Sequence, residues 1–467
     1  MLLPLTPACP VLSLNGMFDV AVVGAGVVGC AVARRFALGG AKTVLLEKGA
    51  DILSGASKGN SAILHTGFDA PPDSLELACM RSGYREYLTI RDSLGLPLLE
   101  SGAMVLAWDD EQVARLPGIV EAAHGNGVED VRAVERVEIL AREPHLSPAV
   151  KAGVLVPREF LIDPWSAPLA YVLQAIAAGA RVRRNIEVLG GEFSGGRWEL
   201  RTSEGAIEAT TIVNCAGLFG DALEKALLGG ASFTIKPRKG QFVVYDKQAV
   251  KLLRHIILPV PGEHTKGIVV TPTIFGNVLV GPTAEEQESR TDAGTDHGTL
   301  EMLKARGEEI LPDLAQMGVN AIYAGIRPAT ERKHYRARHE PERNYIGLNG
   351  IRSTGLTAAL GLALHAWELH GGGAEEQAAP AISGVPRLAE CALRDWQTEA
   401  HGEIVCHCEM VTRQEIEAAL QGPLPAGDFG GLRRRTRAGM GRCQGFYCHA
   451  SLAVLSAGKL QEPLAHD

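Results

Sequence analysis

The clearest pattern of hydrophobic positions begins at Met17, in the segment "MFDVAVVGAGVVGCAVARRFALGGAKTVLLEK". Residues 18–23 form a short apolar run that is rich in β-branched residues and typical of a buried strand. An apolar stretch with helical character continues to Leu38, and "KTVLLEK" predicts a second strand that ends at Glu47. This order of strand, helix and strand predicts a parallel βαβ unit.

Three glycines stand between the first strand and the helix, where Gly24, Gly26 and Gly29 fit G-x-G-x-x-G. In this fingerprint the first glycine makes a tight turn, the second lets the backbone approach a pyrophosphate, and the third lets helix and strand pack closely. Glu47 lies 18 residues beyond the last glycine, near the distance at which a carboxylate reaches a ribose hydroxyl. A glycine-rich turn without a ligand is the alternative, but the combination favours a dinucleotide site.

Later segments favour a flavin over a nicotinamide, although both cofactors use this unit. The segment "LSGASKGNSAILHTGF" is small, polar and glycine-rich, which suits a backbone that passes close to a bound cofactor. The segment "ATTIVNCAGLFGD" predicts a strand that runs into Ala216 and Gly217. In "GIRSTGLTAALGLALHAWELH", Gly355 and Thr357 open an apolar helix, whose N-terminal amides suit an anionic ring edge.

Length and composition limit the classes of protein to which this chain can belong. With 467 residues, of which 46% are hydrophobic and 21% charged, the chain is long enough for two or more domains. A net charge of -8 gives no general reason to expect nucleic acid. No apolar run approaches about 18 residues, so no membrane span is expected. Residues 1–16 lack a basic n-region and contain three prolines, so we expect a disordered extension and not a signal peptide.

Four of the nine cysteines lie within 43 residues near the end of the chain, at Cys406, Cys408, Cys443 and Cys448. A C-x-C pair, a gap of 34 residues and a C-x4-C pair supply enough thiolates for a [2Fe–2S] cluster with each pair on one iron. A four-cysteine zinc site fits less well, because zinc sites usually have two to four residues within a pair. Free thiols are the third possibility. The odd cysteine total, without a secretion signal, favours a reducing, cytoplasmic compartment.

The segment around the third cysteine, "LRRRTRAGMGRC", is locally basic. A cluster held by four thiolates carries net negative charge, which nearby guanidinium groups would offset while tuning its potential. A solvated basic face, or a docking surface for a partner, is the alternative. The arginines concerned are Arg433, Arg434, Arg435, Arg437 and Arg442.

These segments, together with "AGIRPAT" at 324–330, resemble the flavin oxidoreductases of the D-amino-acid oxidase and glycerol-3-phosphate dehydrogenase superfamily. The motifs "CHCEMVT" and "LRRRTRAGMGRCQGFYC" are similar to the C-terminal iron–sulfur module of the large subunit of anaerobic glycerol-3-phosphate dehydrogenase, and to bacterioferritin-associated ferredoxin. The resemblance implies an α/β fold with a Rossmann-like FAD-binding domain, an interleaved α+β substrate or cap domain, and a small C-terminal iron–sulfur domain. It implies FAD and a [2Fe–2S] cluster as cofactors.

The flavin domain of this family is discontinuous, and the expected division of the chain follows that arrangement. The FAD-binding domain is expected to comprise 17–85, 150–235 and 322–372. The cap domain is expected to comprise 86–149 and 236–321, with "KPRKGQFVVYD" and "NVLVGPTAEE" as strands of an antiparallel sheet. Residues 373–400 are rich in Gly, Ala and Pro and predict a linker before the iron–sulfur module, 401–467. The expected cofactor-binding residues are Gly24, Gly26, Gly29, Glu47, Lys48, Ser57, Asn60, Ser61, Leu64, Ala216, Gly217, Gly325, Gly355, Leu356 and Thr357.

A flavin dehydrogenase needs a cation for an anionic substrate and a base for the departing proton. The resemblance places Arg327 of "GIRP" at the substrate, and a planar guanidinium suits a carboxylate or phosphate; a surface turn is the alternative. His65 is the candidate base, although it could instead orient the flavin. Arg332 would add positive charge at the pocket mouth, and His255 and His264 are weaker substrate-binding candidates from the cap.

The substrate is expected to be a small anionic alcohol. Where the glycerol-3-phosphate enzymes carry a "TGGK"-type segment, this chain has "STGLTAAL" and lacks the lysine. The segment "SAILHTGFDAPPDSLELAC" also resembles enzymes that oxidise L-2-hydroxyglutarate, a carboxylate. An amine or opine oxidoreductase, and a redox sensor or docking subunit, are further alternatives.

The electron acceptor is expected to be a partner protein. A [2Fe–2S] centre passes one electron at a time, which favours export to a partner over direct reaction with oxygen. In the similar anaerobic enzyme, electrons leave through other subunits toward a membrane quinone pool. The resemblance therefore implies an electron-accepting subunit, and contact with the inner face of the cell membrane only through that partner.

Overall fold

The computed structural model describes residues 16–262, 267–373 and 378–464. The predicted N-terminal extension, 1–16, therefore lies outside the described residues apart from Gly16. Within the three described ranges, no helix is both long enough and apolar enough to cross a membrane.

An eight-stranded sheet built around parallel strands forms the first layer of the fold. Phe18–Val23 lies between Gly205–Asn214 and Thr43–Leu46 and pairs with both in parallel. All four residues of Thr43–Leu46 are buried, as expected for a strand that is covered on both faces. The predicted βαβ unit is confirmed. The strands of this sheet are Phe18–Val23, Thr43–Leu46, Arg181–Arg183, Val188–Ser194, Arg197–Thr202, Gly205–Asn214, Arg336–Glu340 and Tyr345–Asn349.

Helices pack on both faces of this sheet. Val20 and Val22 point to one face, and Ala21 and Val23 to the other, as alternation along a strand requires. Gly220–Leu228 covers the second face. The helices gathered on the first face are Val27–Leu38, Leu75–Ile90, Ser166–Ala177 and Gly355–Leu369.

Two glycines let the helices of the first face cross closely. A Cβ atom on Gly83 would lie 2.1 Å from the Thr357 carbonyl oxygen, and one on Gly361 would lie 2.1 Å from the Cys79 carbonyl oxygen. Real Cβ atoms do not approach oxygen so closely, so both positions require glycine. The crossing fixes the start of Gly355–Leu369, which lines the site described below.

A nine-stranded, mainly antiparallel sheet forms the second layer. Helix His297–Ile310 packs on it through Leu303 and Ile310, and Asp110–Gly125 and Arg136–Arg142 complete its cover. The strands predicted in "KPRKGQFVVYD" and "NVLVGPTAEE" are confirmed, and they pair with each other. The strands of this sheet are Ala103–Ala107, Arg132–Glu135, Ala152–Val156, Ile235–Tyr245, Ile256–Pro259, Val269–Pro272, Val278–Gly281, Glu285–Glu286 and Val319–Thr330.

Two strands lie in a different sheet from the one that the predicted boundaries imply. Ala152–Val156 was assigned to the FAD-binding domain, but it pairs with Ala103–Ala107 in the second sheet. Most of Val319–Thr330 was assigned likewise, but it pairs along its length with Ile235–Tyr245. The apolar pattern of a strand does not identify its partner, because pairing is decided by contacts distant in sequence. The other domain boundaries stay predictions.

A small three-stranded sheet joins the two layers. Ile63 and Leu161 pack with the second layer, whereas their neighbours Leu64 and Ile162 pack with the first. The segment that leads to His65 is therefore fixed from both sides. The strands of this sheet are Ile63–Leu64, Leu98–Leu99 and Phe160–Ile162. The short 3-10 helices of the chain are Ala56–Lys58, Gly217–Phe219, Lys247–Leu252, Pro312–Gln316, Pro341–Arg343 and Asp395–Gln397.

The C-terminal module has a core of its own around Val411, Ile416, Leu432 and Leu452. A two-stranded hairpin opens the module, and three short helices follow. These elements are Ile404–Cys406, Val411–Thr412, Arg413–Ala419, Phe429–Thr436 and His449–Ser456.

A buried ion pair joins this module to the first layer. The Arg435 guanidinium binds the Asp51 carboxylate through two contacts of 2.5 and 2.9 Å, and both side chains are almost fully buried. Gly427 donates its N–H to the same carboxylate at 3.1 Å. Burial by itself would raise the pKa of Asp51, but the Arg435 charge and these hydrogen bonds lower it on balance.

A second set of contacts joins the module to the other layer. Arg437 binds Glu409 at 2.8 Å and its guanidinium lies 4.2 Å from the centre of the Phe275 ring. Lys247, from the second layer, reaches Glu409 at 3.2 Å. Arg442 binds Asp246 at 3.0 Å. The module therefore contacts both layers.

Most arginines of this basic segment thus bind other groups of the protein, a role that the sequence did not indicate. Arg435, Arg437 and Arg442 form ion pairs with carboxylates, and Arg434 donates to the Ile52 carbonyl. Arg433 is the member whose charge interacts with a motif cysteine, Cys448. Arg433 also donates to the Gly439 carbonyl at 3.1 Å, and its predicted role beside the cluster stays a prediction. The other four bind protein groups, because carboxylates and carbonyls from other segments fold against them.

The described part of the predicted linker, 378–400, is packed against the body of the protein. Leu388 and Ala389 are buried with Ile274 and Phe275 of the second layer. Arg394 is 1% exposed and binds Glu390 at 2.7 Å. A few apolar residues are therefore enough to pack this connecting segment against the second layer.

Replacement Arg435→Gln is expected to lower the free energy of unfolding by about 3 kcal/mol, because it leaves the buried Asp51 carboxylate without its counter-ion. Urea unfolding of the purified protein measures this change. The matched control is Arg413→Gln in the same module, since Arg413 binds Glu403 on the surface and should contribute at most about 1 kcal/mol. Equal effects of the two replacements would contradict the assignment.

The same ion pair predicts acid sensitivity. The pKa of Asp51 is lowered in the folded protein, so its stabilising contribution is complete above the unfolded value of about 3.9 and is lost as the pH falls through the folded value. The wild-type protein should lose this part of its stability below about pH 4, whereas Arg435→Gln has already lost it.

Candidate functional site

A cavity of about 640 Å³ lies between the two layers. The glycine loop and the two segments predicted to wrap the cofactor line one side, and the second sheet contributes Phe242 and the strand around Ile326. The predicted site residues that line the cavity are Gly24, Gly26, Glu47, Lys48, Ser57, Asn60, Ser61, His65, Ala216, Gly217, Gly325, Arg327, Gly355 and Leu356.

The glycine loop is held by contacts that leave no space for side chains. Gly24 has a φ of +100°, and a Cβ atom there would lie 2.6 Å from the Cys215 carbonyl oxygen. Gly29 does not line the cavity, but a Cβ atom on it would lie 1.8 Å from the Gly24 carbonyl oxygen. The loop can therefore place its backbone N–H groups at the N-terminus of Val27–Leu38, where a pyrophosphate binds.

Glu47 sits at the end of the second strand with its carboxylate oriented by the backbone. It accepts hydrogen bonds from Ala25 N–H at 2.7 Å and from Gly49 N–H at 2.8 Å. Burial raises the pKa of Glu47, and these hydrogen bonds oppose the rise. The neighbouring Lys48 lies over the Phe219 ring, 3.3 Å from its centre. This end of the cavity suits a ribose and an aromatic base.

The second wrapping segment is fixed to the glycine helix and to the second sheet. Ser57 Oγ accepts from Val27 N–H at 3.0 Å, and Tyr323 Oη donates to the Asn60 carbonyl at 2.9 Å. The backbones of Gly59 and Gly325 meet so closely that a Cβ atom on Gly325 would lie 3.0 Å from the Gly59 carbonyl oxygen. Of the predicted residues, Ser57 and Asn60 therefore position backbone as well as line the cavity.

Two further predicted cofactor residues lie behind the cavity wall. Leu64 is buried in the hydrophobic core of the first layer. Thr357 Oγ1 accepts the His65 N–H at 2.9 Å. Their effect on the site is indirect, because they fix the backbone that carries His65.

His65 is paired with a buried carboxylate that sequence reasoning missed. Its Nδ1 lies 2.7 Å from Glu159 Oε2, and Glu159 is fully buried. The other oxygen, Oε1, accepts the Thr66 N–H at 2.6 Å and the Thr66 hydroxyl at 2.7 Å. The one signal in the sequence is a glutamate directly before the apolar strand Phe160–Ile162, which by itself indicates no partner.

Arg327 and Arg352 both bring guanidinium groups to the wall of the same cavity. Arg327 donates to the Thr283 carbonyl at 2.6 Å, and Arg352 donates to the Lys333 carbonyl at 2.9 Å. Neither forms an ion pair within the described residues. Burial, and then the charges of Arg238 and Arg352, lower the pKa of Arg327 to about 10. Arg327 therefore stays charged at neutral pH, in surroundings that favour an incoming anion.

Arg352 was missed as a site residue although it stands in the segment "GIRSTGL". Nothing in the neighbouring residues marks Arg352 as a site residue, because only the folded chain places it beside Arg327. Arg290 was missed for the same reason. It lines the cavity and binds Asp221 at 2.5 and 2.9 Å.

Two predicted substrate residues lie outside the cavity lining, and a third lies outside the described residues. Arg332 is exposed and lies outside the lining. His255 binds the buried Glu143 at 2.7 Å, away from the lining residues. His264 lies outside the described residues. The second sheet contributes strand residues to the cavity lining, but His255 is not among them.

The four predicted cysteine ligands come together in the C-terminal module. The Cys406 and Cys448 side chains influence each other electrostatically, as do those of Cys408 and Cys443, so the interactions run between the two sequence pairs. The backbone N–H of Tyr447, helped by those of Gly445 and Phe446, lowers the pKa of Cys443. Burial and the nearby Cys406 raise the pKa of Cys448 to about 12.

These opposing shifts fit a centre that binds iron. Thiols this close ionise together only when a cation compensates their charge, and the amides around Cys443 are placed to stabilise a thiolate. Within the described chain, no group of three or more His, Cys, Asp or Glu side chains stands in an arrangement that could hold a metal ion. The case for two irons therefore rests on the spacing of the four cysteines, because a C-x-C pair is shorter than the pairs usual in zinc sites.

Replacement Gly29→Ala is expected to abolish dinucleotide binding, because the added methyl group would displace the Gly24 carbonyl and with it the phosphate-binding turn. Flavin absorbance per polypeptide after purification measures the loss. Gly118→Ala, in helix Asp110–Gly125 and with open space around the site, is the control and should keep full flavin content with slightly higher stability, by about 1 kcal/mol. Full flavin content in Gly29→Ala would contradict this role.

Comparisons with known proteins bear on both parts of the chain. The family model described as "FAD dependent oxidoreductase" (DAO) matches residues 19–369. The model described as "BFD-like [2Fe-2S] binding domain" matches residues 404–455. The second match includes all four cysteines of the C-terminal motif and favours the iron–sulfur interpretation over zinc.

Individual relatives agree with these matches. A glycerol 3-phosphate dehydrogenase of Caloramator mitchellensis is 30% identical over 95% of both chains. An L-2-hydroxyglutarate dehydrogenase of Escherichia coli (strain K12) is 28% identical over 62% of this chain and 70% of that protein. The solved structure of dithionite-reduced L-alpha-glycerophosphate oxidase from Mycoplasma pneumoniae with FAD bound is 26% identical and aligns with a TM-score of 0.73, over 78% of this chain and 97% of that one.

The matched segments coincide with the cavity and with the cysteine motif, and the predicted fold class and cofactors are confirmed. The chain therefore belongs to the FAD dependent oxidoreductase family and carries a C-terminal BFD-like [2Fe–2S] binding domain.

Proposed function

We propose that this enzyme is a dehydrogenase that oxidises the secondary alcohol of glycerol 3-phosphate and exports the electrons to a partner protein. The observation that carries the proposal is the convergence of a histidine and two guanidinium groups in one cavity. His65, Arg327 and Arg352 come from three segments far apart in the sequence, and all three line the space where the flavin family holds its cofactor and substrate.

The two arginines supply the site for an anionic group. Neither forms an ion pair within the described residues, and the charge of Arg352 contributes to the lowered pKa of Arg327. A phosphate dianion between them would relieve this repulsion and accept two-pronged hydrogen bonds. These cations can replace the lysine that the "STGLTAAL" segment lacks.

His65 supplies the base. Because an ionised carboxylate can only accept hydrogen bonds, Glu159 holds the hydrogen of His65 on Nδ1 and leaves the lone pair on Nε2. Nε2 is then free to take the proton of the substrate hydroxyl. When bound, FAD would supply a hydride acceptor for the carbon that carries this hydroxyl, and a [2Fe–2S] cluster would carry single electrons onward.

The comparisons support glycerol 3-phosphate first, since the match to the dehydrogenase of Caloramator mitchellensis extends through the C-terminal module. L-2-hydroxyglutarate is the second candidate substrate. Its carboxylates suit the same two guanidinium groups, and the match to the Escherichia coli enzyme favours it. The module that binds the cluster supports a protein acceptor for either substrate.

Anaerobic addition of sn-glycerol 3-phosphate to the purified holoenzyme is expected to bleach the flavin absorbance and to produce the electron paramagnetic resonance signal of a reduced [2Fe–2S] cluster. Bleaching by L-2-hydroxyglutarate alone would select the second candidate, and bleaching by neither would refute both.

Replacement Cys443→Ser should abolish the resonance signal and leave flavin bleaching intact. Cys391→Ser, an exposed cysteine outside the motif, is the matched control and should change neither signal.

Replacement Arg327→Gln is expected to lower kcat/KM for the bleaching substrate by about 10- to 100-fold, the value of one lost charge-assisted hydrogen bond. Steady-state turnover with ferricyanide as acceptor measures it. Arg332→Gln removes a nearby but exposed charge outside the cavity and should stay within about twofold of the wild-type value. A larger effect at Arg332 than at Arg327 would show that the anion binds at the mouth of the cavity.

A further inference from the structure

We propose that Glu159 is the positioning residue that makes His65 a base. This inference rests on the proposed function, because it assigns to Glu159 a role in the same proton transfer. Glu159 does not line the cavity, so any contribution to turnover passes through His65.

The carboxylate is held too rigidly to be an incidental neighbour. Both oxygens are used: Oε1 accepts two hydrogen bonds from Thr66, and Oε2 contacts His65 Nδ1 at 2.7 Å. The side chain is fully buried, and its backbone lies directly before Phe160–Ile162, which pairs with Ile63–Leu64. The two residues are therefore fixed to neighbouring strands of one sheet, which sets the orientation of the imidazole.

This arrangement acts on the proton in two ways. It holds the hydrogen on Nδ1, so that Nε2 presents a lone pair to the cavity. After Nε2 has taken the substrate proton, His65 carries a positive charge, and the negative charge of Glu159 stabilises it. The proton moves from the substrate oxygen to Nε2, and Glu159 keeps its own charge throughout.

The other ionisable groups around His65 and Glu159 do not account for this proton transfer. Burial raises the pKa of Tyr84, and the charge of Glu159 raises it further. Arg158 lowers this pKa, whereas Asp130 and Glu100 raise it. Tyr84 therefore stays protonated at neutral pH, and Arg158 is paired with Asp130. The charged groups that line the cavity with His65 are Glu47, Lys48, Lys58, Glu187, Arg290, Arg327 and Arg352.

The test compares Glu159→Gln with a matched buried pair elsewhere in the chain. Glu143 contacts His255 Nδ1 at 2.7 Å and is 1% exposed, but neither residue lines the cavity. Glu159→Gln presents an amide N–H to Nδ1 and should move the hydrogen of His65 to Nε2. We expect kcat to fall about 100-fold with KM within about threefold, and the acidic limb of the pH–rate profile to move down by about one unit.

Glu143→Gln should cost similar stability but leave kcat and the acidic limb in place. Glu159→Asp keeps a carboxylate and should recover part of the activity and return the acidic limb toward the wild-type position. Parallel losses of stability in both glutamine variants, with no change in the pH profile of Glu159→Gln, would overturn the proposal. Flavin content and thermal unfolding verify that each variant is folded.

A measurement without substrate separates this inference from the proposed function. The rate at which diethyl pyrocarbonate modifies His65 in the holoenzyme, followed by mass spectrometry across a pH series, reports the charge of the imidazole directly. In Glu159→Gln the onset of modification should move to lower pH by about one unit. An unchanged onset would refute the role of Glu159 even if glycerol 3-phosphate is the substrate. A changed onset in a protein that oxidises neither candidate would refute the substrate and retain the pairing.

Discussion

Backbone contact without intervening side chains is the constraint on which the cofactor site depends. Gly29 packs on the Gly24 carbonyl, Gly24 packs on Cys215, and Gly59 packs on Gly325. The last two contacts join segments that are distant along the chain, and all three bring backbone to one cavity. A dinucleotide bound there is recognised largely by N–H groups and helix ends, which only such close packing can present.

Charge is arranged in opposite ways in the two parts of the molecule. In the C-terminal module, arginines are neutralised by buried carboxylates, as in Arg435 with Asp51 and Arg437 with Glu409. In the cavity, Arg327 and Arg352 have no carboxylate partner among the described residues. The first arrangement stabilises the fold, whereas the second stores unfavourable electrostatic energy that an anionic ligand can release. Similar residue types thus stabilise the fold in one place and, in the proposed function, bind an anion in another.

The parts of this protein that the sequence predicts are those encoded over short distances. Gly24, Gly26 and Gly29 lie within one turn, and each cysteine pair spans at most six residues, so spacing alone indicated their chemistry. Glu159 and Arg352 were missed because their meaning depends on partners more than 20 residues away: Glu159 on His65, Arg352 on Arg327. The arginine run was interpreted only in part, since Asp51 and Asp246 become its partners only in the folded chain. The same limit applies to Ala152–Val156, whose partner strand Ala103–Ala107 is distant in the sequence.

The C-terminal module also bears on how the enzyme can move. It is bonded to the first layer through Asp51 and to the second through Asp246 and Lys247, so it bridges the two parts that enclose the cavity. Many enzymes admit substrate by a hinged separation of two domains. In this protein, such a movement would break a buried ion pair and separate the module from one of the two layers. Substrate exchange in this enzyme is therefore expected to proceed through local movement of loops at the cavity mouth, with the iron–sulfur module kept at a fixed position relative to the flavin throughout turnover.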